Sequence, residues 1–336
     1  AKQYRKILSE LRAYSDVTEV KMSAGNWNKI KYENVPSKAN LLYSNAFMTH
    51  DPNRRTTYLN ALKSGKTKIN AGTLFPHDIV HKYTGGLCVA SEYDETIEQL
   101  WKALPDYVQG DSTTLCVADG SGSMFSRVGN TGVSALDVAN ALSIYFAERC
   151  KGQFKDKYIT FSENPQIVDF SKCKSLHSKI GTALAHNEIA NTNIEAVFDL
   201  ILTTAVKYKM QQSELPNNIL ILSDMEFDFC AVRNDYKKTH CKLTADDSRL
   251  FDEIAARYAE HGYKLPRLIF WNICSRTLTI PLTTNELGVA LVSGFSPTSL
   301  NMVLSGTFDP FKCLIDQLST PRYDVVENAI KALLTE

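Results

Sequence analysis

The stretch CVADGSGSM, residues 116–124, runs from an apolar segment straight into a carboxylate and two hydroxyls. Asp119, Ser121 and Ser123 alternate with Gly120 and Gly122. Glycine tolerates the tight backbone of a sharp turn, so both hydroxyls can be aimed at one point. Such oxygen donors suit a hard cation, Mg²⁺ or else Ca²⁺ or Mn²⁺, and disfavour Zn²⁺. A second apolar run, NNILILS, also ends in a carboxylate, Asp224, and Thr192 stands at the start of NTNIEAVFDL. Taken singly, each serine or threonine reads as a cap on a turn or helix. Taken as an ordered set, Asp119, Ser121, Ser123, Thr192 and Asp224 read as a metal site. Two carboxylates and three hydroxyls are few ligands for an octahedral ion, so water or a partner's carboxylate completes the shell. A cation with such an open position is a binding device.

Placing these residues together requires strand ends on one edge of a sheet. From about residue 112 the sequence alternates strand and helix patterns. TTLCVA, KYITFS, QIVDF, NNILILS, RLIFWNI and GVALVS read as strands. Ser134-x-x-Asp137 resembles a capping box opening a helix to Arg149, and 193–210 and 246–261 read as further helices. This order predicts an α/β fold with a doubly wound, mostly parallel sheet, whose ligands bind outside the carboxyl ends of the strands. The first ~108 residues carry helix patterns without strands: 2–13, 37–50, 91–107, a short FPHDIVHKYTGG segment, and a helix opened by Asp51-Pro52. The division expected is therefore an all-α module at 1–108 and an α/β domain at 109–336, in keeping with two domains for 336 residues.

Net charge is zero but uneven: residues 1–70 hold 13 Lys/Arg against 5 Asp/Glu, the remainder 24 against 32. A basic end can meet nucleic acid or another anion, and equally can be a solvated helical surface. Within it NWNKIKY interleaves aromatic and basic residues. Trp27, Lys29, Lys31 and Tyr32 could stack bases and neutralise phosphates, a packed turn being the plain alternative. The eight cysteines are scattered with no CxxC pair, a pattern of reduced thiols in a cytoplasmic protein. No apolar run approaches the ~20 residues that cross a bilayer, and AKQYRKILSELRAY lacks the apolar core of a signal peptide. The chain starts at Ala1 without an initiator Met, as a processed chain or a fragment would.

DGSGSM, then NTN, then LSD resemble the metal-ion-dependent adhesion site of von Willebrand factor A domains. The resemblance implies metal contacts from the hydroxyls of Ser121, Ser123 and Thr192, with Asp119 and Asp224 acting directly or through water. Asn191 and Met225 stand where many members have Gly. KMSAGNWNKIKYENVPS, FMTHD, LFPHDIVHKY, LSDMEFD, LPRLIFWNI and ALVSGFSP are similar to a family related to the Ro autoantigen, in which a TROVE-like helical region precedes a von Willebrand A domain. That likeness implies a HEAT-like helical module, a non-catalytic protein, and a small or misfolded RNA as partner in a ribonucleoprotein assembly.

Other chemistry is less well provided for. Asp224, Glu226 and Asp228 alternate in SDMEFD, so a metal-dependent hydrolase or nuclease is the alternative reading. No GxxxxGK[ST] loop, G-x-S-x-G or HExxH occurs. Cys230, His240 and Cys241 share one loop but lack a fourth zinc ligand at a familiar spacing. His77 and His81 fit one packed helix face better than a metal pair.

Overall fold

The computed structural model describes residues 2–85, 90–106, 108, 113–187, 193–224, 245–274, 282–284, 289–295 and 309–334. The N-terminal part is helical: α1 (Lys2–Tyr14), α2 (Thr18–Ser23), α3 (Ser37–Leu42), α4 (Ser44–His50), α5 (Pro52–Lys63), α6 (Pro76–Thr84) and α7 (Glu95–Lys102). The segment read as one helix over 37–50 is two, interrupted at Tyr43. Pro52 opens α5 as expected, yet Asp51 makes no side-chain cap. Its carboxylate accepts instead from Tyr32 Oη and Arg54 Nη1, both at 2.9 Å. α6 ends at Gly85, whose φ of 56° is the left-handed conformation that favours glycine at a helix end.

The remainder is mixed α/β. It contains β1 (Thr114–Asp119), α8 (Ala135–Ala147), β2 (Lys157–Phe161), β3 (Ile167–Asp169), α9 (Leu176–Ala185) and α10 (Ile194–Lys207). β4 (Asn218–Ser223), α11 (Ala245–Glu260), β5 (Arg267–Asn272), β6 (Leu282–Thr284) and β7 (Ala290–Ser293) follow, then α12 (Pro310–Leu318) and α13 (Asp324–Leu334). Among the described residues seven strands form one sheet in the order β3-β2-β1-β4-β5-β7-β6. β2, β1, β4, β5 and β7 are parallel, and the edge strands β3 and β6 run antiparallel. β6 was not foreseen: PLTTN is too short and polar to show strand periodicity, as befits an edge strand.

Helices cover both sheet faces. On one, Leu115, Val117, Ile219, Ile221 and Phe270 meet Ile201 of α10 and Tyr258 of α11. On the other, Cys116, Ala118 and Leu220 belong to a cluster that runs through α8 into the N-terminal helices, including Ile79, Val80 and Trp101. Every residue of α8 is buried, because it has the sheet beneath it and α6 above. Ser134 caps α8, with its Oγ 3.1 Å from Asp137 N, and the expected capping box is present. Asp137 then serves twice more: its Oδ2 lies 2.7 Å from His81 Nδ1, and its Oδ1 accepts from Thr84 Oγ1 at 2.5 Å. Glu98 of α7 accepts from Leu176 N and His177 N at 2.8 and 2.9 Å, so a helix of the first segment satisfies the start of α9.

His77 is 5% exposed, its ring edge-on to Phe295 at 5.8 Å. Burial holds the imidazole neutral and pushes its pKa down to about 4, against a partial pull upward from Asp78 and Asp137. Between pH 6.5 and about 4 the unfolded chain therefore binds a proton that the folded chain refuses, and stability falls as pH falls through that window. Urea unfolding at a series of pH values is expected to show this loss, on the order of 3 kcal/mol in all. It should be largely absent from His77→Gln. Equal pH dependence in the two proteins would contradict the assignment.

Candidate functional site

β1 and β4 are adjacent and parallel, with Ala118 opposite Leu222, so Asp119 and Ser223 end their strands side by side. Asp119 is 1% exposed. Its Oδ1 accepts from Ser121 N at 2.8 Å and its Oδ2 from Ser223 Oγ at 2.7 Å. Burial pushes its carboxyl above the usual carboxylate range. The bonds from Ser223 and Ser121 pull the other way, and the charge of Asp224 adds to the rise.

Beyond Asp119 the chain forms a 3₁₀ turn, Gly122–Phe125, anchored by fully buried Met124. The turn brings the Ser121 and Ser123 hydroxyls to 3.0 Å of each other. Ser123 Oγ then donates to Asp224 Oδ1 at 2.9 Å, across 101 residues of sequence. Four of the five expected donor residues are thus drawn into one cluster at the carboxyl edge of the sheet. The fifth, Thr192, lies outside the described residues, as do Glu226, Asp228, Cys230, His240 and Cys241. Asn193, next to Thr192, caps α10 by accepting from Ala196 N at 3.0 Å.

Among the described residues no group of three or more His, Cys, Asp or Glu side chains is placed to hold a metal ion. The cluster at the carboxyl edge is of a different kind, with three serine hydroxyls beside its two carboxylates. Ser223 is the residue sequence reasoning missed. Its signal was present, a hydroxyl closing the apolar run just before Asp224, but its target on β1 depends on strand order.

The basic aromatic stretch divides. Lys29 and Lys31 are exposed. Trp27 is half-buried and stacks on His50 at 4.4 Å. Tyr32 is 3% exposed, stacked on Tyr58 at 5.4 Å, with the Arg55 guanidinium 5.0 Å from its ring. It belongs to the core and offers no free face for a base, which corrects the expectation for that residue. Arg54, not singled out from sequence, ties the stretch down by donating to Trp27 O and Ile30 O at 3.0 and 2.6 Å. The His77 and His81 rings are engaged with Phe295 and Asp137 respectively, as a packed face.

Residues 113–319, more than half of the chain, match the family model described as Domain of unknown function (DUF7788). The chain belongs to the DUF7788 family. Residues 1–113 match a second model, Domain of unknown function (DUF2828). Asp119, Ser121, Ser123, Ser223 and Asp224 all fall in the DUF7788 segment. A relative, "Uncharacterized protein L728" of Acanthamoeba polyphaga mimivirus, is 30% identical over 336 residues, 94% of this chain and 54% of the relative. The chain thus spans about half the length of that curated relative. Among solved structures, the Deinococcus radiodurans RO (RSR) protein is similar over 86% of this chain and 53% of its own, at 14% identity and a TM-score of 0.41, too low to argue from. Among the described residues no helix is long and apolar enough to cross a membrane.

Removing the Ser223 hydroxyl strands one oxygen of a buried carboxylate. Ser223→Ala is expected to lower the unfolding free energy by about 1–3 kcal/mol at neutral pH. The deficit should shrink in acid as Asp119 takes up a proton, since a bond to the charged form is the stronger one. Matched denaturation curves at pH 7 and 4 check this, and a variant as stable as the parent at pH 7 would contradict it.

Proposed function

We propose that this chain is a non-catalytic binding protein whose sheet edge holds one divalent cation, Mg²⁺ by preference, with Ca²⁺ or Mn²⁺ as substitutes. In this reading residues 109–336 form a von Willebrand A domain and residues 1–108 a TROVE-like helical module. The carrying observation is the 2.9 Å contact of Ser123 with Asp224, which joins two strand ends far apart in the chain. The donor set fits a hard cation: every donor is oxygen, and Ser121, Ser123 and Asp224 remain accessible to solvent. Charge supports it too. Among the described residues neither Asp119 nor Asp224 has a cationic partner in an ion pair, and Asp119 is held above its normal range by burial and by its neighbour.

Ser121, Ser123 and Thr192 would hold the ion through hydroxyls, with Asp119 and Asp224 bound directly or through water. When bound, the cation supplies an open coordination position for the carboxylate of a protein partner. The chain's own part is to fix that position: Ser223 orients Asp119, and buried Met124 holds the serine turn in place. The second partner in this reading is RNA, met by Trp27, Lys29 and Lys31 on the basic end, with Tyr32 supporting them from the core. This assignment rests on the Ro-like motifs and on the exposure of the two lysines.

Calorimetric titration of the full chain with Mn²⁺ or Mg²⁺ is expected to show one site. Asp119→Ala and Asp224→Ala should each weaken it at least about 10-fold, as loss of a carboxylate ligand demands. Unchanged affinity in both would overturn the reading. Labelled single-stranded RNA should be retained without cleavage. Mg²⁺-dependent cleavage lost in Asp224→Ala would favour a nuclease instead. Joint Lys29→Ala and Lys31→Ala replacement should reduce the slope of log affinity against log salt by about 1.4, one phosphate per lysine. An unchanged slope would remove the basic stretch from the interface.

A further inference from the structure

The strand registers put four polar residues in one row. Asp119 adjoins Ser223, Ser223 is opposite Asn272, and Asn272 is opposite Ser293. Side chains alternate between faces along a strand, so these four leave the sheet on the same side. Two residues earlier, the same row of the same strands is Val117, Ile221, Phe270 and Leu291, all packed in the cluster with α10 and α11. Over β1, β4, β5 and β7 the row therefore changes from apolar to polar in a single step at the carboxyl edge, while β2 stays apolar with Phe161 beside Asp119.

One member of that row carries an unpaired buried atom. Asn272 Oδ1 is inaccessible to solvent and has no hydrogen-bond partner among the described residues. A buried acceptor left unpaired is costly and calls for a donor not found among the described residues. An amide oxygen only accepts, so that donor must carry a proton. Adjacent strands are about 4.8 Å apart, which places Asn272 one strand from Ser223 and two from Asp119. That is too far to ligate an ion seated between Asp119 and Asp224 directly, and close enough to hold a water on that ion.

We infer that Asn272 is a positioning residue of the cation site: its amide oxygen orients a metal-bound water on the β5 side, leaving the opposite side for the incoming carboxylate. This deepens the proposed function and rests on it. Partners that hydrogen-bond to bound ligands govern affinity by about 10-fold or more when removed.

The test uses the full chain and Mn²⁺, with calorimetric affinity and thermal unfolding measured with and without the metal. Asn272→Leu, which removes the acceptor while filling the space, is expected to weaken Mn²⁺ binding about 10-fold. It should leave the metal-free melting temperature equal or higher, because the unpaired oxygen is gone. Asn272→Asp keeps an acceptor at the same place and should restore binding. If Asn272→Leu binds Mn²⁺ as the parent does, or lowers metal-free stability while keeping the full metal-induced increment, Asn272 is a structural residue and the inference fails. If the parent itself binds no divalent cation, the proposed site fails and this inference with it.

Discussion

A carboxylate buried at the end of a central strand is the constraint around which this molecule is arranged. Asp119 is almost wholly removed from water, and burial of a charge is expensive unless hydrogen bonds or opposite charge offset it. Two bonds do part of that work: the Ser121 amide from the following turn and the Ser223 hydroxyl from the neighbouring strand. The second requires β1 and β4 to be adjacent and in register. The carboxyl is raised all the same, chiefly by its burial, with Asp224 adding to the rise. Among the described residues neither Asp119 nor Asp224 has a cationic partner in an ion pair, and the proposed function starts from that.

The helical segment is part of the same framework. α8 leaves the serine loop, crosses the sheet, and is buried on every side because α6 packs over it. Carboxylates fasten the contact. Asp137 engages His81 and Thr84, Glu98 satisfies the first amides of α9, and Glu148 accepts from Trp101 Nε1 while pairing with Lys179. Each is a charged group spanning the two sequence segments, and breaking one leaves a charge without its partner at the interface. The loop that carries Ser121 and Ser123 is thus continuous with the element the N-terminal helices grip.

Local chemistry was legible in the sequence; of the cross-strand chemistry, the meeting of Ser123 with Asp224 was expected and the Ser223–Asp119 bond was not. Asp119, Ser121 and Ser123 lie within five residues, so spacing alone announced the turn, and the capping box at Ser134 was equally local. The α/β alternation could be read because buried strands and helices have distinct lengths and punctuation. Tyr32 illustrates the limit. An aromatic beside two lysines looks like a base-stacking residue until the fold brings Tyr58 and Arg55 against its ring. Asp51 looked like a cap and is drawn away by Tyr32 and Arg54. Asn272 carries no signal in NIC at all, since its significance comes from register with Ser223. The short strand at 282–284 has too few residues for any period to show.

The central claim is that oxygens from two strand-end loops enclose one hard cation. Anomalous scattering from crystals of the protein grown with Mn²⁺ addresses it most directly. The account predicts a single strong anomalous peak above the sheet edge, about 2 Å from the Ser121 and Ser123 hydroxyls and from Asp224 or a water held by it. Anomalous peaks confined to other parts of the molecule, with Asp119, Ser123 and Asp224 ordered and sharing no common ligand, would contradict it.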